Sequence, residues 1–569
     1  MIILGINNMH DASAALVING MVVAAAEEER FTRIKHERGF PVNAMRFCLD
    51  YAGIKIGDVD IVCASWKPWS LSVRATLALK SILKSPDIFK AKTSRGIGQM
   101  QNEWAELFRL RGLVERYFGK GKYKIEYVDH HLAHAASAFL CSPFERAAIL
   151  TVDGAGEANT TVLWTGAGTG IEKIQAVKLP HSLGQFFAAV TAFLGFKAQS
   201  DEYKVMGLAS YGEPIYADYL SKNVIKLLPD GLFRIDPYFI DYHLARNGSF
   251  RPSTTDIFGE SRRREEDIAK RHADIAASAQ KVVEEAVFHL VNYLHEKTKL
   301  DTLCLAGGVA FNCVANGKLF RKTPFKNIFI QPAAGDAGSA LGAALLLEHK
   351  HTGRPRHYIM SDAYLGPSFS SSECERVLKG KNILYEKLDE DVLLQRTAHA
   401  LAEGKLVCWF QGRMEWGPRA LGNRSFLADP RREEMKDIIN LKIKQRESFR
   451  PFAPSVLEEK SSEYFDYSGS SPFMLYAFPV KPEKRSQIPA VTHVDGTARP
   501  QTVNKITNPL YWKLIAEFEK LTGVPILLNT SFNVQEPIVC TPGEAIESFI
   551  RTKVDYLVLN DLFIERPST

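Results

Sequence analysis

The sequence predicts an α/β protein of two domains, and three observations predict it. A strand that runs into an acidic or glycine-bearing loop and then a hairpin occurs twice before residue 180. A polar, proline-broken stretch near residue 350 divides the chain. Beyond it, segments of helical and strand character alternate again, the pattern of a second α/β unit. At 569 residues the chain also exceeds what one hydrophobic core supports.

The elements follow in order. An apolar strand over 1–6 runs into Asn7-Asn8-Met9-His10-Asp11. The strands SAALVI and MVVAAAEEE come next, joined by Asn19-Gly20, a pair suited to a two-residue hairpin because both residues accept positive φ. The plan recurs when the strand Ala147–Val152 ends in Asp153-Gly154-Ala155-Gly156, followed by TTVLWTG and IEKIQAVKL across a glycine-rich turn. An amphipathic helix over about 272–298 leads to the strand TLCLA and the loop Gly307-Gly308-Val309-Ala310-Phe311-Asn312. The strand NIFIQP, the loop Ala334–Gly338 and an alanine-rich helix to Leu347 complete the first part. The run from His349 to His357 reads as a linker rather than a metal-binding tract. Beyond it, a helix over 390–403 feeds the strand KLVCWFQ, and a helix over 509–522 feeds VPILLN. The helix from Thr541 has Pro542 at its first position and Glu544 closing a capping box. Two strands around Asn560-Asp561 end the sequence.

Composition narrows the function classes. Apolar content of 46% and charged content of 24% are those of a globular protein. A net charge of +6 is small for this length and does not argue for a nucleic-acid partner. The basic stretch from Lys80 to Lys124 reads as solvated surface rather than a site for an anionic or lipid-linked partner. Eight cysteines with no C-x-x-C pair exclude a zinc module, an iron–sulfur cluster and a disulfide framework, and point to a reducing compartment. The chain opens directly on a strand and no apolar run reaches membrane-spanning length, so a cytoplasmic location is expected.

Three groups of residues carry chemistry. His130 and His134, in DHHLAHAASA, stand one helical turn apart, so both imidazoles can reach a single ion while His131 points elsewhere. Asp153 and Asp336 would complete a set of two imidazoles and two carboxylates. That set suits Fe(II), Mn(II) or Mg(II), with histidine disfavouring magnesium alone; the competing reading has each aspartate only capping its loop. Backbone amides at Gly154, Gly156, Gly307, Gly308 and Gly338 are expected to face the phosphates of ATP. In the second part, Gly412–Ser425 has the glycine spacing of a P-loop but lacks its Lys-Ser/Thr ending, which excludes a Walker site. With Arg419, Lys444, Arg446, Arg450, Arg499 and Asn529 it reads instead as a pocket for a small phosphorylated molecule. There arginines grip an oxyanion that the loop amides also reach.

The duplicated strand–loop–hairpin unit resembles the ribonuclease-H-like fold shared by actin, Hsp70 and sugar kinases. The chain as a whole resembles the O-carbamoyltransferase family, whose members modify antibiotics and nodulation factors. The resemblance rests on HDASAAL with AEEERFTRIKH, HHLAHAASA, TVDGAGE, KVMGLASYG, LAGGVAFN, AAGDAGSALGAA, GPRALGNRS, KQRESFRPFAPS and LNTSFN with EPIV, in order along the chain. It implies a carbamoyl-transfer domain binding ATP and metal over 1–348, a linker over 349–362, and a domain similar to threonylcarbamoyl-AMP synthase over 363–569. That last domain would bind carbamoyl phosphate and form carbamoyl-AMP with ATP. Arg419, Lys444, Arg450, Arg499 and Asn529 fall on the family's carbamoyl-phosphate positions. His130, His134, Asp153 and Asp336 fall on its metal positions, for an iron-type ion; Lys204, Gly207, Gly307, Gly308 and Asn312 fall in its nucleotide loops. The carbamoyl group would pass to a hydroxyl of a sugar-containing natural product or glycan. An alcohol needs a base, and His10, oriented by Asp11, is expected to supply it. Segments 65–125 and 213–270 are expected to line the acceptor site. A sugar-kinase-like phosphotransferase would explain the first part but not the second. An ATP-driven chaperone or filament former lacks its binding domain or self-association surface. The hydrogenase and tRNA relatives lack, in this chain, their zinc modules or basic surface.

Overall fold

The structure is a computed structural model that describes residues 1–70, 97–236 and 255–566. It is an α/β protein of two compact units, Met1–Glu28 with His36–Met360, and Glu29–Lys35 with Ser361–Thr569. The basic stretch and the two acceptor segments lie partly outside the described residues.

Unit 1 contains two five-stranded sheets built on one plan. The first has the order β3 (Met21–Glu27), β2 (Ser13–Ile18), β1 (Ile2–Asn7), β4 (Ile61–Ala64), β5 (Lys124–Tyr127). The second has β8 (Gly170–Lys178), β7 (Asn159–Ala167), β6 (Arg146–Val152), β11 (Thr302–Ala306), β12 (Asn327–Ile330). In each, the first three strands in chain order form an antiparallel meander, and the last two add in parallel. A small ribbon of β9 (Ile225–Leu227) and β10 (Phe233–Ile235) stands apart from both. Asn19 and Gly20 join β2 to β3 with φ of 51° and 80°, the positive values that a hairpin matched to strand twist requires.

Corresponding helices follow β5 and β12, His130–Phe139 and Asp336–Thr352, and they cross closely. A Cβ at Gly342 would stand 1.9 Å from the Ala133 carbonyl oxygen and 2.6 Å from the Ser137 nitrogen. Only glycine permits that approach, and the crossing holds the starts of the two helices side by side. The second helix corrects one expectation. It does not end at Leu347 but runs through His349-Lys350-His351 to Thr352 and stops at Gly353, whose φ is +66° and whose amide bonds to the His349 carbonyl. Polar residues do not end a helix, whereas a left-handed glycine does.

Unit 2 is built on an eight-stranded mixed sheet. Its order is β13 (Glu386–Lys387), β22 (Leu562–Glu565), β21 (Tyr556–Leu559), β14 (Val407–Phe410), β15 (Arg424–Ala428), β20 (Ile526–Ser531), β16 (Ala453–Leu457), β19 (Gln501–Val503). A two-stranded ribbon pairs β17 (Phe478–Pro479) with β18 (Thr497–Ala498). The capping box of the helix Pro542–Thr552 is formed by Thr541 and Glu544. The segment Glu29–Lys35 belongs to this unit although it follows β3. Phe31 packs against Met414, Ile538 and Cys540, and Arg30 donates to the Gly417 carbonyl at 2.9 Å.

Candidate functional site

The helix crossing in unit 1 brings four side chains to one point. Nε2 of His130 and Nε2 of His134 are 3.1 Å apart, and Asp153 Oδ2 lies 3.2 and 2.9 Å from them. Asp336 Oδ1, from the first residue of its helix, is 3.6 Å from both nitrogens. One ligand atom from each residue lies within 4.8 Å of the others. The two rings are wholly buried, and Trp66 stacks on His130 with centroids 4.0 Å apart. Each ring N–H can satisfy only one acceptor, so this convergence has more lone pairs than protons to fill them. A divalent cation answers that shortage, and the N2O2 donor set fits one.

The electrostatics of the cluster follow from burial and crowding. Burial disfavours the imidazolium of His134, but hydrogen bonds to Asp153 and Asp336 outweigh it and hold the pKa at about 9. His130 is pushed down to about 3 by burial and by the neighbouring His134. Burial and the Asp153 charge push Asp336 up to about 6, whereas the two histidines outweigh burial at Asp153 and keep it well below the carboxylate range. His131 bonds to Thr151 at 2.9 Å and to the Asn159 carbonyl at 3.0 Å, a core histidine that points away from the cluster.

The glycine loops around this cluster do a different task from the one expected. The amides of Gly154, Gly156, Gly307 and Gly338 bond to Asp153 Oδ1, Asn159 O, Ala334 O and Gly335 O, so they do not face a phosphate. Gly307 has φ +91°, and a Cβ there would stand 2.3 Å from the Val152 carbonyl oxygen; glycine serves backbone packing. Of the five amides, only that of Gly308 has no such acceptor among the described residues, and a Cβ on Gly308 would stand 3.3 Å from Asp153 Oδ1. Lys204 and Gly207 lie on the helix Glu202–Ala209, not in a loop, with Lys204 paired to Asp201 at 3.3 Å. Asn312 caps the helix Cys313–Lys322 and exchanges two 3.0 Å bonds with Gln280, which engages its amide within the fold.

His10 sits just beyond β1. Its Nδ1 is 3.1 Å from Asp11 Oδ2, and its Nε2 is 3.0 Å from the Gln199 carbonyl. Carboxylate and carbonyl oxygens both require a donor, so this arrangement suits an imidazolium. Burial works against that charge, but Asp11 outweighs it and raises the pKa to about 9, with Asp336 adding to the pull; an exposure of 24% tempers the shift. His36 Nδ1 reaches the other oxygen of Asp11 at 2.7 Å. The sequence reading gave no role to His36, although it closes the AEEERFTRIKH match.

In unit 2, the loop Gly412–Ser425 is organised from within. Glu415 is 2% exposed, and its Oε1 accepts from the amides of Leu421, Asn423 and Arg424 at 2.7, 2.8 and 3.1 Å. The Gly422 amide bonds to Ser425. These amides are therefore not available to an oxyanion, contrary to the expectation from the glycine spacing. Arg424, wholly buried, lies 3.6 Å over the Phe410 ring and donates to the carbonyls of Gln411 and Asn423, a structural role.

Of the five residues expected to grip carbamoyl phosphate, Asn529 lies on β20 and Lys444 bonds to its last residue, Ser531. Asn529 Nδ2 reaches Ala420 O, Ser455 Oγ and Gln501 Oε1 at 3.2, 3.0 and 3.1 Å. Those contacts tie Asn529 to the neighbours of Arg419 and Arg499, while its buried Oδ1 has no partner among the described residues. Lys444 follows a π-helical turn, Ile438–Ile443, and is 1% exposed. Its Nζ bonds to Ser531 and to Asn533 O and Oδ1 at 2.8 Å. Burial, and then the charges of Arg446, Arg450 and Lys35, push its pKa well down. Arg450 lies 3.7 Å from Glu447.

Comparison with known proteins agrees along most of the chain. The family description Carbamoyltransferase N-terminus matches residues 2–345, and Carbamoyltransferase C-terminus matches residues 398–566. An uncharacterized protein of Synechocystis is 44% identical over 99% of this chain and 96% of its own length. The nodulation protein NolNO of Sinorhizobium fredii is 41% identical over 98% of this chain and 79% of its own. Among solved structures, T. kodakarensis HypF matches with a TM-score of 0.32 at 14% identity, over 63% of this chain and 48% of that one, too loosely to bear on mechanism.

Proposed function

The chain belongs to the carbamoyltransferase family and is an enzyme that transfers carbamoyl groups, and on that premise we propose that it is an ATP-dependent O-carbamoyltransferase. Unit 2 would hydrolyse carbamoyl phosphate to phosphate and carbamate, whose oxygen attacks the α-phosphorus of ATP, giving carbamoyl-AMP and releasing pyrophosphate. Arg419, Arg450 and Arg499 suit the phosphate by charge. Asn529 Oδ1, which has no partner among the described residues, suits the substrate's NH2 group, which needs an acceptor. Lys444 we assign to holding the Ser531–Asn533 turn beside them, because its ammonium is already engaged there.

Unit 1, which we read as a ribonuclease-H-like domain from its duplicated sheets, would carry out the transfer. The acceptor hydroxyl attacks the carbamoyl carbon, the bond to AMP breaks, AMP leaves, and the hydroxyl proton passes to His10 Nε2. His10 is competent once its ring has released a proton and the acceptor has replaced the Gln199 carbonyl. The raised pKa then predicts a transfer rate that climbs from pH 7 toward about 9. His130, His134, Asp153 and Asp336 would hold a divalent ion, most suitably Fe(II), which when bound neutralises and orients nucleotide phosphate. The acceptor we take to be a hydroxyl of a sugar-containing natural product or glycan.

The observation that carries this reading is that one carboxylate links His10 to the histidine–aspartate cluster. Asp336 belongs to the cluster and also acts electrostatically on His10. The test supplies the enzyme with carbamoyl-labelled carbamoyl phosphate and γ-labelled ATP, with a methyl glycoside as probe acceptor. Carbamoyl label on the sugar supports the reading. γ-Phosphate on the sugar would establish the phosphotransferase alternative instead.

A further inference from the structure

The surroundings of His10 contain a second histidine placed to act on it. Asp11 uses its two oxygens separately, Oδ2 toward His10 Nδ1 at 3.1 Å and Oδ1 toward His36 Nδ1 at 2.7 Å. The two rings stand 5.0 Å apart and are tilted by 30°. Separate oxygens make the carboxylate a bridge between two N–H donors, rather than one face of a shared chelate. The backbone is strained at the same place. Asp11, His36 and Gln199, the residues that touch His10 or reach it through one bond, have φ of 53°, 55° and 60°. Non-glycine residues seldom adopt such values, and a cluster of them marks a geometry imposed for function.

We propose that His36 is a positioning residue of the transfer site, acting on His10 through Asp11. With Nδ1–H of His36 donating to Oδ1, the Asp11 carboxylate cannot rotate, and Oδ2 stays against His10. The neutral His10 ring is then held with its proton on Nδ1, leaving the Nε2 lone pair for the acceptor hydroxyl. Without His36 the carboxylate turns freely, and neutral His10 takes up the other tautomer, in which Nε2 carries a proton and cannot serve as a base. The charged groups facing His10 are Asp11 on its own loop, His36 and Arg38 on the segment after it, Glu103 on the helix Ile97–Phe108, Glu202 on the helix Glu202–Ala209, and Asp336. Of these, Asp11 bonds to the His10 ring directly.

This inference rests on the reading of His10 as the base, and the test separates the two. His36→Gly removes the donor at a backbone position that glycine accepts without strain. His36→Asn restores an N–H at the atom position of Nδ1, on a residue that tolerates positive φ. Nitrogen-15 NMR of the histidine-labelled full chain, with His10→Asn identifying the signal, reads the tautomer of His10 without needing an acceptor. The wild type is expected to show neutral His10 protonated at Nδ1. His36→Gly is expected to shift it toward Nε2–H and to lower the titration midpoint, and His36→Asn to restore both. Transfer of label from carbamoyl phosphate to a methyl glycoside should fall on the order of 10- to 100-fold in His36→Gly, with carbamoyl-AMP formation unchanged. An unaltered tautomer and midpoint in His36→Gly would overturn the role of His36. Undiminished transfer in His10→Asn would overturn the base assignment instead.

Discussion

Binding of a divalent ion to the histidine–aspartate cluster should release a proton, and the structure indicates how many at each pH. His134 is held at about 9 because Asp153 and Asp336 outweigh burial, so at pH 7 its ring is about 99% protonated. An ion must displace that proton to reach Nε2. At pH 7, then, close to one proton should leave per ion bound. The apparent affinity should rise about tenfold per pH unit, on the order of 100-fold between pH 7 and 9, and then level off. Asp336, held at about 6 by burial and by the Asp153 charge, adds a second displaced proton below that pH and steepens the fall. Calorimetric titration of Mn(II) into the full chain, in two buffers of different ionisation heat at pH 6, 7, 8 and 9, counts the protons directly. Asp153→Asn removes the oxygen shared by both rings. It should weaken Mn(II) by at least about 100-fold and lower the proton count at pH 7, since His134 loses its strongest partner. An affinity that is flat from pH 6 to 9, or an Asp153→Asn variant that binds as tightly as the wild type, would refute the reasoning.

Three further outcomes follow from the packing. Glu415→Ala leaves three loop amides without their carboxylate, at roughly 1–3 kcal/mol each, so urea denaturation should show unit 2 weakened by several kcal/mol, with Glu415→Gln losing less. Equal midpoints for the two variants and the wild type would show that the loop needs no internal anion. Gly342→Val forces apart the helices that present His130 and Asp336, and should cost about 1–3 kcal/mol or more while also weakening Mn(II). Gly353→Ala, where nothing lies within 4 Å, should cost about 1–2 kcal/mol from backbone strain alone and leave Mn(II) affinity intact.

Much of unit 1 was legible because its signals are local. Asn19-Gly20 states its turn in two residues, the strands alternate or run apolar, and a spacing of four places His130 and His134 on one helical face. Gathering Asp153 and Asp336 with them follows from the duplication, since equivalent strands and helices bring equivalent ends together. What escaped was set by long-range packing. Nothing in ERFTRIK announces that Phe31 will lie against Met414 and Ile538, hundreds of residues away in the chain. Glycine spacing shows where the backbone can bend, but not where the amide points, so the internal acceptors of Gly154, Gly307 and Leu421 could not be read from it. Glu415 was passed over for the same reason, because a lone glutamate in a loop gives no sign that it will be buried beneath three amides. The helix end at Thr352 was misplaced because composition changes at His349 while the terminating glycine comes four residues later.

The central claim is that His10 takes the acceptor's proton in a step distinct from carbamoyl activation. A rapid-quench single turnover of His10→Asn, with carbamoyl-labelled carbamoyl phosphate, ATP and a methyl glycoside, tests it most directly. The account predicts that labelled carbamoyl-AMP forms as in the wild type and accumulates, while labelled sugar appears about 10²–10⁴-fold more slowly. Labelled sugar appearing at the wild-type rate, with no carbamoyl-AMP held back, would contradict it.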